Sequence, residues 1–279
     1  MRKIDLEKVR DAVRELFISA CLDLPLDVRC AIERARDMEQ SPLGREILTR
    51  IVDNSLLAEE KRLPICQDTG VATVYLAVGT EVVFEGDLYQ AVNEGVRLAY
   101  TEGYLRKSIV RHPLDRVNTG DNTPAVIHTE IVSGDTFRID VTAKGGGSEN
   151  MCSAKMLIPA DGVEGVKKFV LDTVTAGGGK PCPPIIVGVG IGGNFEKCVL
   201  LSKEALLRDL SDESEDELSR ELERELFSLI NDTGIGPMGL GGRATCLSVK
   251  VNTYPCHIAS LPVAVSIQCH AARHKSREL

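Results

Sequence analysis

The spacing of apolar and polar positions divides the chain into a helical first quarter and a mixed remainder. From about Leu6 to Arg62, apolar residues recur with helical periodicity. A helix start is predicted at Ser41-Pro42, because Ser caps unpaired N–H groups and Pro suits the first turn. The run from Val71 to Gly79 predicts a strand, and helical spacing returns from about Asp87 to Leu105.

The remaining patterns predict strands with interspersed helices. Two apolar runs, residues 124–132 and 136–144, are separated by Ser133-Gly134-Asp135, which predicts a hairpin. A helix near Val163 to Thr173, a buried strand at residues 185–193 and an acidic helix around Asp212 to Asn231 follow. The last quarter alternates Gly-rich turns with apolar runs and ends in a charged tail, HKSREL.

Together these patterns predict an α+β fold. A helical N-terminal layer is followed by mixed or antiparallel sheets with packed helices. We expect a single compact unit, with residues 1–279 forming one domain, since 43% hydrophobic content supports a substantial core and no linker is visible.

Composition excludes several classes of function. The net charge of −8 argues against a nucleic-acid surface, which needs clustered Lys and Arg in excess. No apolar run approaches the roughly 20 residues of a membrane span, and the N-terminus is a charged amphipathic helix rather than a signal peptide. A cytoplasmic protein is expected, and a small acidic substrate would have to meet a local basic pocket.

The nine cysteines contain no CxxC pair, so neither a zinc ribbon nor a ferredoxin-type local spacing is available. Without an export signal they are expected to be thiols rather than disulfides. Any metal site must therefore combine distant segments. For each cysteine taken alone, a small hydrophobic core residue is the competing interpretation.

Two glycine-rich segments invite nucleotide-site interpretations. Gly188-Val-Gly-Ile-Gly-Gly193 matches GxGxxG after a strand, but repeated βαβ units and a ribose-binding acid are missing, so a nicotinamide-dependent oxidoreductase is a weak alternative. Gly179-Lys180 is followed by Pro181, which excludes a P-loop. The run Lys144-Gly-Gly-Gly-Ser148 could be either a carboxylate cradle or a tight turn.

The segment Cys66-Gln-Asp-Thr-Gly70 places a thiol, an amide, a carboxylate and a hydroxyl in one turn. It resembles the signature of the class I, iron–sulfur-dependent fumarate hydratases and L(+)-tartrate dehydratase α subunits. The resemblance extends over nearly the whole chain, through these further segments: Asn118-Thr-Gly120, Lys144–Ser148, Cys182-Pro-Pro184, Gly192-Gly193 and Val265–Arg273. It also implies that the GxGxxG run is structural.

The resemblance implies a [4Fe–4S] cluster held by Cys66, Cys182 and Cys269. A cluster with three thiolate ligands leaves one iron site open, which suits Lewis-acid chemistry better than electron transfer. The other six cysteines are interpreted as core or incidental thiols: Cys21, Cys30, Cys152, Cys198, Cys246 and Cys256.

The implied reaction is reversible hydration of fumarate to L-malate, a tricarboxylic acid cycle step, or the analogous dehydration of L(+)-tartrate. The resemblance assigns acid–base or catalytic roles to Asp68 and His257. It assigns substrate-binding roles to the following residues: Gln67, Arg106, Lys144, Gly147 and Arg273.

Single-chain members of this family continue into a second domain, so the resemblance implies either a separate β subunit, which is the expectation, or a shortened chain. An (αβ)2 or similar oligomer is expected. A non-enzymatic iron–sulfur redox sensor is the alternative from another class, although Asp68, Gln67 and Arg106 would have no purpose in it.

Overall fold

The computed structural model describes residues 1–279 and groups them by internal contacts into two units. Unit 1 comprises residues 1–25, 55–146 and 273–279, and unit 2 comprises residues 26–54 and 147–272. The helices are α1 Leu6–Leu22, α2 Leu26–Met38, α3 Pro42–Lys61, α4 Leu88–Glu102, α5 Gly146–Glu149, α6 Gly162–Gly177, α7 Phe195–Ala205 and α8 Glu217–Asn231. The strands are β1 Arg2–Lys3, β2 Val71–Gly79, β3 Val82–Val83, β4 Val126–Val132, β5 Phe137–Lys144, β6 Ser153–Leu157, β7 Ile185–Gly192, β8 Cys246–Tyr254, β9 Leu261–Gln268 and β10 His274–Glu278.

Unit 1 is built on a mixed four-stranded sheet in the order β10-β5-β2-β4. Strand β2 runs parallel to β4 and antiparallel to β5, which in turn is antiparallel to β10. Helices α1 and α4 bury their apolar faces with β2 and β5, and the core includes Val13, Phe17, Val96, Leu76 and Ile139. Every second residue of β2 is buried, so the strand turns one face towards this core, and the predicted strand is confirmed.

The predicted hairpin between β4 and β5 is wrong, because β2 lies between them and pairs with both. The turn at residues 133–135 instead contacts the end of β2. The N–H of Glu81 donates to the carbonyl of Gly134 at 2.8 Å, and the N–H of Gly79 donates to that of Thr136 at 2.7 Å. The largely exposed β4 takes the edge of the sheet, whereas the buried β2 takes the centre.

The charged C-terminal tail is strand β10 rather than an irregular segment. It pairs antiparallel with β5 in a register that places His274 opposite Thr142 and Glu278 opposite Arg138. As an edge strand with exposed positions it carries polar residues, so its sequence lacks the apolar alternation of a half-buried strand.

Unit 2 contains a four-stranded sheet in the order β6-β9-β7-β8. Helices α6 and α8 share one core with this sheet, which includes Val170, Leu226, Val187, Val189 and Val265. Helix α7 packs against β7 at its glycines. A Cβ at Gly188 would lie 2.2 Å from the Ser202 carbonyl oxygen, and one at Gly190 would lie 2.0 Å from that of Cys198.

The GxGxxG run is therefore a packing device between strand and helix. Only glycine lets the backbone of α7 approach β7 so closely. This contact is the structural reason for the run.

The α+β class with a helical N-terminal layer and mixed sheets is confirmed. Ser41 caps α3 as predicted, since its Oγ accepts the N–H of Gly44 at 3.1 Å. The acidic helix begins at Glu217, later than predicted, with Asp216 as its N-cap. The assignment of residues 1–279 to one domain stays a prediction. No helix combines the length and the apolar character needed to cross a membrane.

Candidate active site

The turn that carries Cys66, Gln67 and Asp68 connects α3 to β2 in unit 1. It passes close to the end of β5 at Gly70, whose φ is +72°. A Cβ at Gly70 would lie 2.3 Å from the Lys144 carbonyl oxygen, so both the backbone angle and the space require glycine. The terminal glycine of the motif thus fixes the turn against Lys144.

The Asp68 carboxylate is held by two backbone N–H groups. Gly70 donates to its Oδ1 at 3.1 Å, and Gly146 donates to its Oδ2 at 2.9 Å. A Cβ at Gly145 would lie 3.0 Å from Oδ2 and 3.1 Å from Nη2 of Arg273, so glycine leaves the space that this carboxylate occupies. Within unit 1, the glycine run is therefore a cradle for the carboxylate of Asp68 itself.

Arg106 and Gln67 form an exposed pair beside this carboxylate. Nη1 of Arg106 donates to Gln67 Oε1 at 2.7 Å. The Arg106 backbone is tied to the same turn, because Thr69 Oγ1 donates to its carbonyl at 3.0 Å. With Oε1 engaged by Arg106, the amide N–H₂ of Gln67 is the group that can donate to a ligand oxygen.

Arg273 and Lys144 lie in the interior of unit 1, with 2% and 6% of their surface exposed. The Arg273 guanidinium donates from Nε to the Ala143 carbonyl at 2.8 Å and from Nη1 to the Asp68 carbonyl at 2.5 Å. Unit 1 therefore brings six of the predicted residues into the neighbourhood of one turn: Cys66, Gln67, Asp68, Arg106, Lys144 and Arg273.

Unit 2 carries the other two predicted cluster ligands on adjoining loops. Cys182 follows α6 with a φ of +57°, and Cys269 follows the end of β9. The ring Nδ1 of His270 lies 2.9 Å from the Cys182 carbonyl oxygen, which joins the two cysteine segments. Gln268 Nε2 lies 3.5 Å from Cys269 Sγ.

Gly147 and His257 also belong to unit 2. Gly147 is exposed, and a Cβ there would lie 3.4 Å from the Lys180 carbonyl oxygen. His257 lies on the exposed loop between β8 and β9, where its Nδ1 accepts the N–H of Ala259 at 3.1 Å. The substrate and catalytic roles predicted for these two residues stay predictions.

The environments of the cysteines differ in a way that bears on metal binding. None of the nine forms a disulfide. Burial raises the pKa of Cys21 to about 11 and that of Cys246 to about 12, and it also raises the pKa of Cys198. Since the thiolate is the metal ligand, these three buried thiols are poor ligands.

The three predicted ligands, Cys66, Cys182 and Cys269, are each half-buried rather than fully buried. They share that class with Cys30 and Cys152, whereas Cys256 is exposed. Thiolate sulfur is the ligand that iron–sulfur clusters use, so each of these three side chains by its chemistry suits that group. No set of three or more His, Cys, Asp or Glu side chains is grouped so as to hold a single metal ion.

Comparison with known proteins places the chain among enzymes. The model of one family, described as Fumarate hydratase (Fumerase), matches residues 10–278. The chain belongs to this family. The resemblance inferred from the motifs is thereby confirmed, and so is the prediction of a hydro-lyase.

Individual relatives of the fumarate hydratase family carry the names of tartrate dehydratases. A protein of Methanocaldococcus jannaschii, provisionally named L(+)-tartrate dehydratase subunit alpha, is 44% identical over 98% of both chains. The L(+)-tartrate dehydratase subunits alpha of Escherichia coli K12 and Shigella sonnei are each 33% identical, over 96% of this chain and 89% of theirs.

Sequence reasoning missed three residues that shape these sites. Tyr100 and Asn122 are fully buried beneath the Cys66–Gly70 turn, and His270 joins the two cysteine loops of unit 2. Tyr100 occupies the buried face of α4 and resembles any core aromatic there. His270 directly follows the predicted cluster ligand Cys269, and this position is the signal that could have identified it from the sequence.

Proposed function

We propose that this chain is the α subunit of a [4Fe–4S]-dependent hydro-lyase that adds water to, or removes it from, a four-carbon dicarboxylic acid. The observation that carries the proposal is the Asp68 carboxylate, held by the N–H groups of Gly70 and Gly146 beside the exposed Arg106–Gln67 pair. A fixed carboxylate next to donors for an anionic substrate is what proton transfer at a dicarboxylate requires.

Each exposed group has a distinct role in this proposal. Arg106 binds one substrate carboxylate through its planar guanidinium, and the Gln67 amide donates to a second oxygen. Asp68 takes or returns the proton on the carbon next to the one that bears the hydroxyl. In hydration the elements of water add across the double bond, and in dehydration they leave, so no external oxidant or reductant is needed.

Cys66, Cys182 and Cys269 would hold the [4Fe–4S] cluster. A bound cluster with one open iron site would supply a Lewis acid for the substrate hydroxyl. The names of the relatives, which are subunits alpha, support a separate β subunit that completes the site. An (αβ)2 assembly is part of the same proposal.

Fumarate and L-malate are the first substrates to test, which the description of the family supports. L(+)-tartrate is the second candidate, because the curated relatives carry that name. L-malate and L(+)-tartrate differ by one hydroxyl group, and both carry the carboxylate that Arg106 would bind.

The test is anaerobic reconstitution of the chain and its β partner with iron and sulfide, followed by iron determination and assays with both substrates. The variants are Cys66→Ser, Cys182→Ser and Cys269→Ser, with Cys256→Ser as the matched control at an exposed cysteine. Each of the first three should lose bound iron and activity, whereas the control should keep both. A fully loaded cluster without either activity would contradict the proposed reaction and favour a sensor.

A further inference from the structure

The Cys66–Gly70 turn is anchored to the interior of unit 1 through its backbone carbonyl groups. Three consecutive carbonyl groups, those of Asp68, Thr69 and Gly70, accept hydrogen bonds from buried side chains. The side chains of the same turn have other partners: the Asp68 carboxylate accepts the backbone N–H groups of Gly70 and Gly146, and the exposed Gln67 amide accepts from the exposed Arg106. The turn therefore anchors its carbonyls on buried side chains, while the side chains of Gln67 and Asp68 are held by a separate set of partners.

Three residues from separate segments supply the interior donors. Nη1 of Arg273 donates to the Asp68 carbonyl. The Tyr100 hydroxyl donates to the Thr69 carbonyl at 2.7 Å and lies 3.2 Å from that of Gly70. Asn122 Nδ2 donates to the Gly70 carbonyl at 3.2 Å.

Each donor is itself held in place. Asn122 accepts the N–H of Ser108 at 2.6 Å through Oδ1, so its amide orientation is fixed. Arg273 exchanges backbone and side-chain bonds with Ala143 at the start of β10. Burial raises the pKa of the Tyr100 hydroxyl well above its usual value, so this group remains a neutral donor.

We propose that Tyr100, Asn122 and Arg273 are positioning residues that set the orientation of Asp68 by holding the three carbonyls beneath it. Arg273 then acts through the turn rather than by contact with substrate, which replaces the substrate-binding role that the resemblance implies. This inference rests on the proposed function for its kinetic consequence, but its structural consequence can be measured independently.

Tyr100→Phe removes one hydroxyl and keeps the ring that packs beside Phe17. Its matched control is Tyr89→Phe at the opposite end of α4, where the hydroxyl contacts Thr129 on the surface. In the reconstituted enzyme, kcat should fall at least tenfold in Tyr100→Phe, equivalent to about 1.4 kcal/mol in activation free energy. KM should change less than twofold, because Arg106 and Gln67 remain, and the control should match wild type.

Amide hydrogen exchange on the folded chain provides the second readout. The N–H groups of Gly70 and Gly146 both donate to Asp68, so their protection reports its position directly. In Tyr100→Phe these two amides should exchange faster while those of Val74 and Val141 in the central strands keep their protection. A purely structural role would instead accelerate exchange throughout unit 1.

Asn122→Gly is the second variant, for use if Tyr100→Phe does not fold. Asn122 has a φ of +64°, which glycine adopts readily, so this change removes the side chain without straining the backbone. Unchanged exchange at Gly70 and Gly146 in either folded variant would overturn the positioning role. Absence of activity in the wild-type enzyme would overturn the proposed function alone, because the exchange result stands without it.

Discussion

Replacing Glu39 with glutamine should destabilise unit 2, because this carboxylate organises the link between α2 and α3. Glu39 is 1% exposed. Its Oε1 accepts the N–H groups of Gln40 at 2.9 Å and Ser41 at 3.0 Å, and its Oε2 accepts those of Arg243 and Ala244, each at 2.9 Å. One side chain thus satisfies four backbone donors from two distant segments.

The expected loss follows from this count of bonds. Glutamine offers one acceptor oxygen, and its N–H₂ group would face two of the N–H donors. Two bonds to a charged acceptor are lost, and a hydrogen bond to a charged group contributes about 1.5–3 kcal/mol. We therefore expect a loss of about 3–6 kcal/mol in the free energy of unfolding.

The destabilisation should depend on pH with a defined sign. Burial alone raises the pKa of Glu39, but the hydrogen bonds from Ser41, Ala244, Arg243 and Gln40 outweigh it, so the pKa lies below the ordinary value of 4.5. A carboxyl whose pKa is lowered by folding stabilises the native state above its unfolded pKa and loses that contribution as the pH falls through the folded pKa. The difference between wild type and Glu39→Gln should be full at neutral pH and shrink in acid.

Urea unfolding at a series of pH values measures this difference. Glu46→Gln is the matched control, since Glu46 is an exposed residue of α3 paired with Arg50. The control should stay within about 0.5 kcal/mol of wild type. The reasoning is refuted if Glu39→Gln is equally mild at neutral pH, or if its effect does not diminish as the pH falls.

Two further substitutions test the packing of unit 2. Gly190→Ala should lower the free energy of unfolding in urea by about 3 kcal/mol, because the new Cβ would lie 2.0 Å from the Cys198 carbonyl oxygen. The control is Gly134→Ala in unit 1, where a Cβ meets no atom within 4 Å. It should cost about 1 kcal/mol, from the positive φ alone. The buried ammonium of Lys250 donates to the carbonyls of Leu210 and Asp212. Lys250→Met should therefore lower the free energy of unfolding by about 1–3 kcal/mol and make residues 209–216 more susceptible to proteolysis. The control Lys168→Met, at an exposed lysine, should have neither effect.

The sequence predicted elements whose signals are local. The strand at Val71–Gly79 and the cap at Ser41 each depend on neighbouring residues only, and both were predicted correctly. The pairing of β4 with β5 was wrong because adjacency along the chain gave no sign that β2 would lie between them. Strand order depends on which strand is flanked by neighbours on both sides, and that is a property of the whole sheet.

The glycine run at Gly188–Gly193 illustrates a different limit. The pattern alone fits a dinucleotide turn; the missing βαβ units weakened that interpretation, and the resemblance favoured a structural role. The deciding quantity is the approach of the α7 backbone to β7, which no local pattern encodes. A glycine in a strand indicates a close approach, but the identity of the approaching group must come from the fold.

The functional turn shows why part of a site is predictable and part is not. Cys66, Gln67 and Asp68 act through their side chains, so the motif names them directly. The groups that hold the turn from below recognise its carbonyls, and every residue type has a carbonyl. Their own identity is therefore constrained only by burial and donor capacity, which a tyrosine on a helix, an asparagine in a loop and an arginine before a strand all satisfy.

A turn that buries consecutive carbonyls must find such donors somewhere in its core. Buried polar side chains around any functional turn are consequently the first place to look for residues that set its geometry.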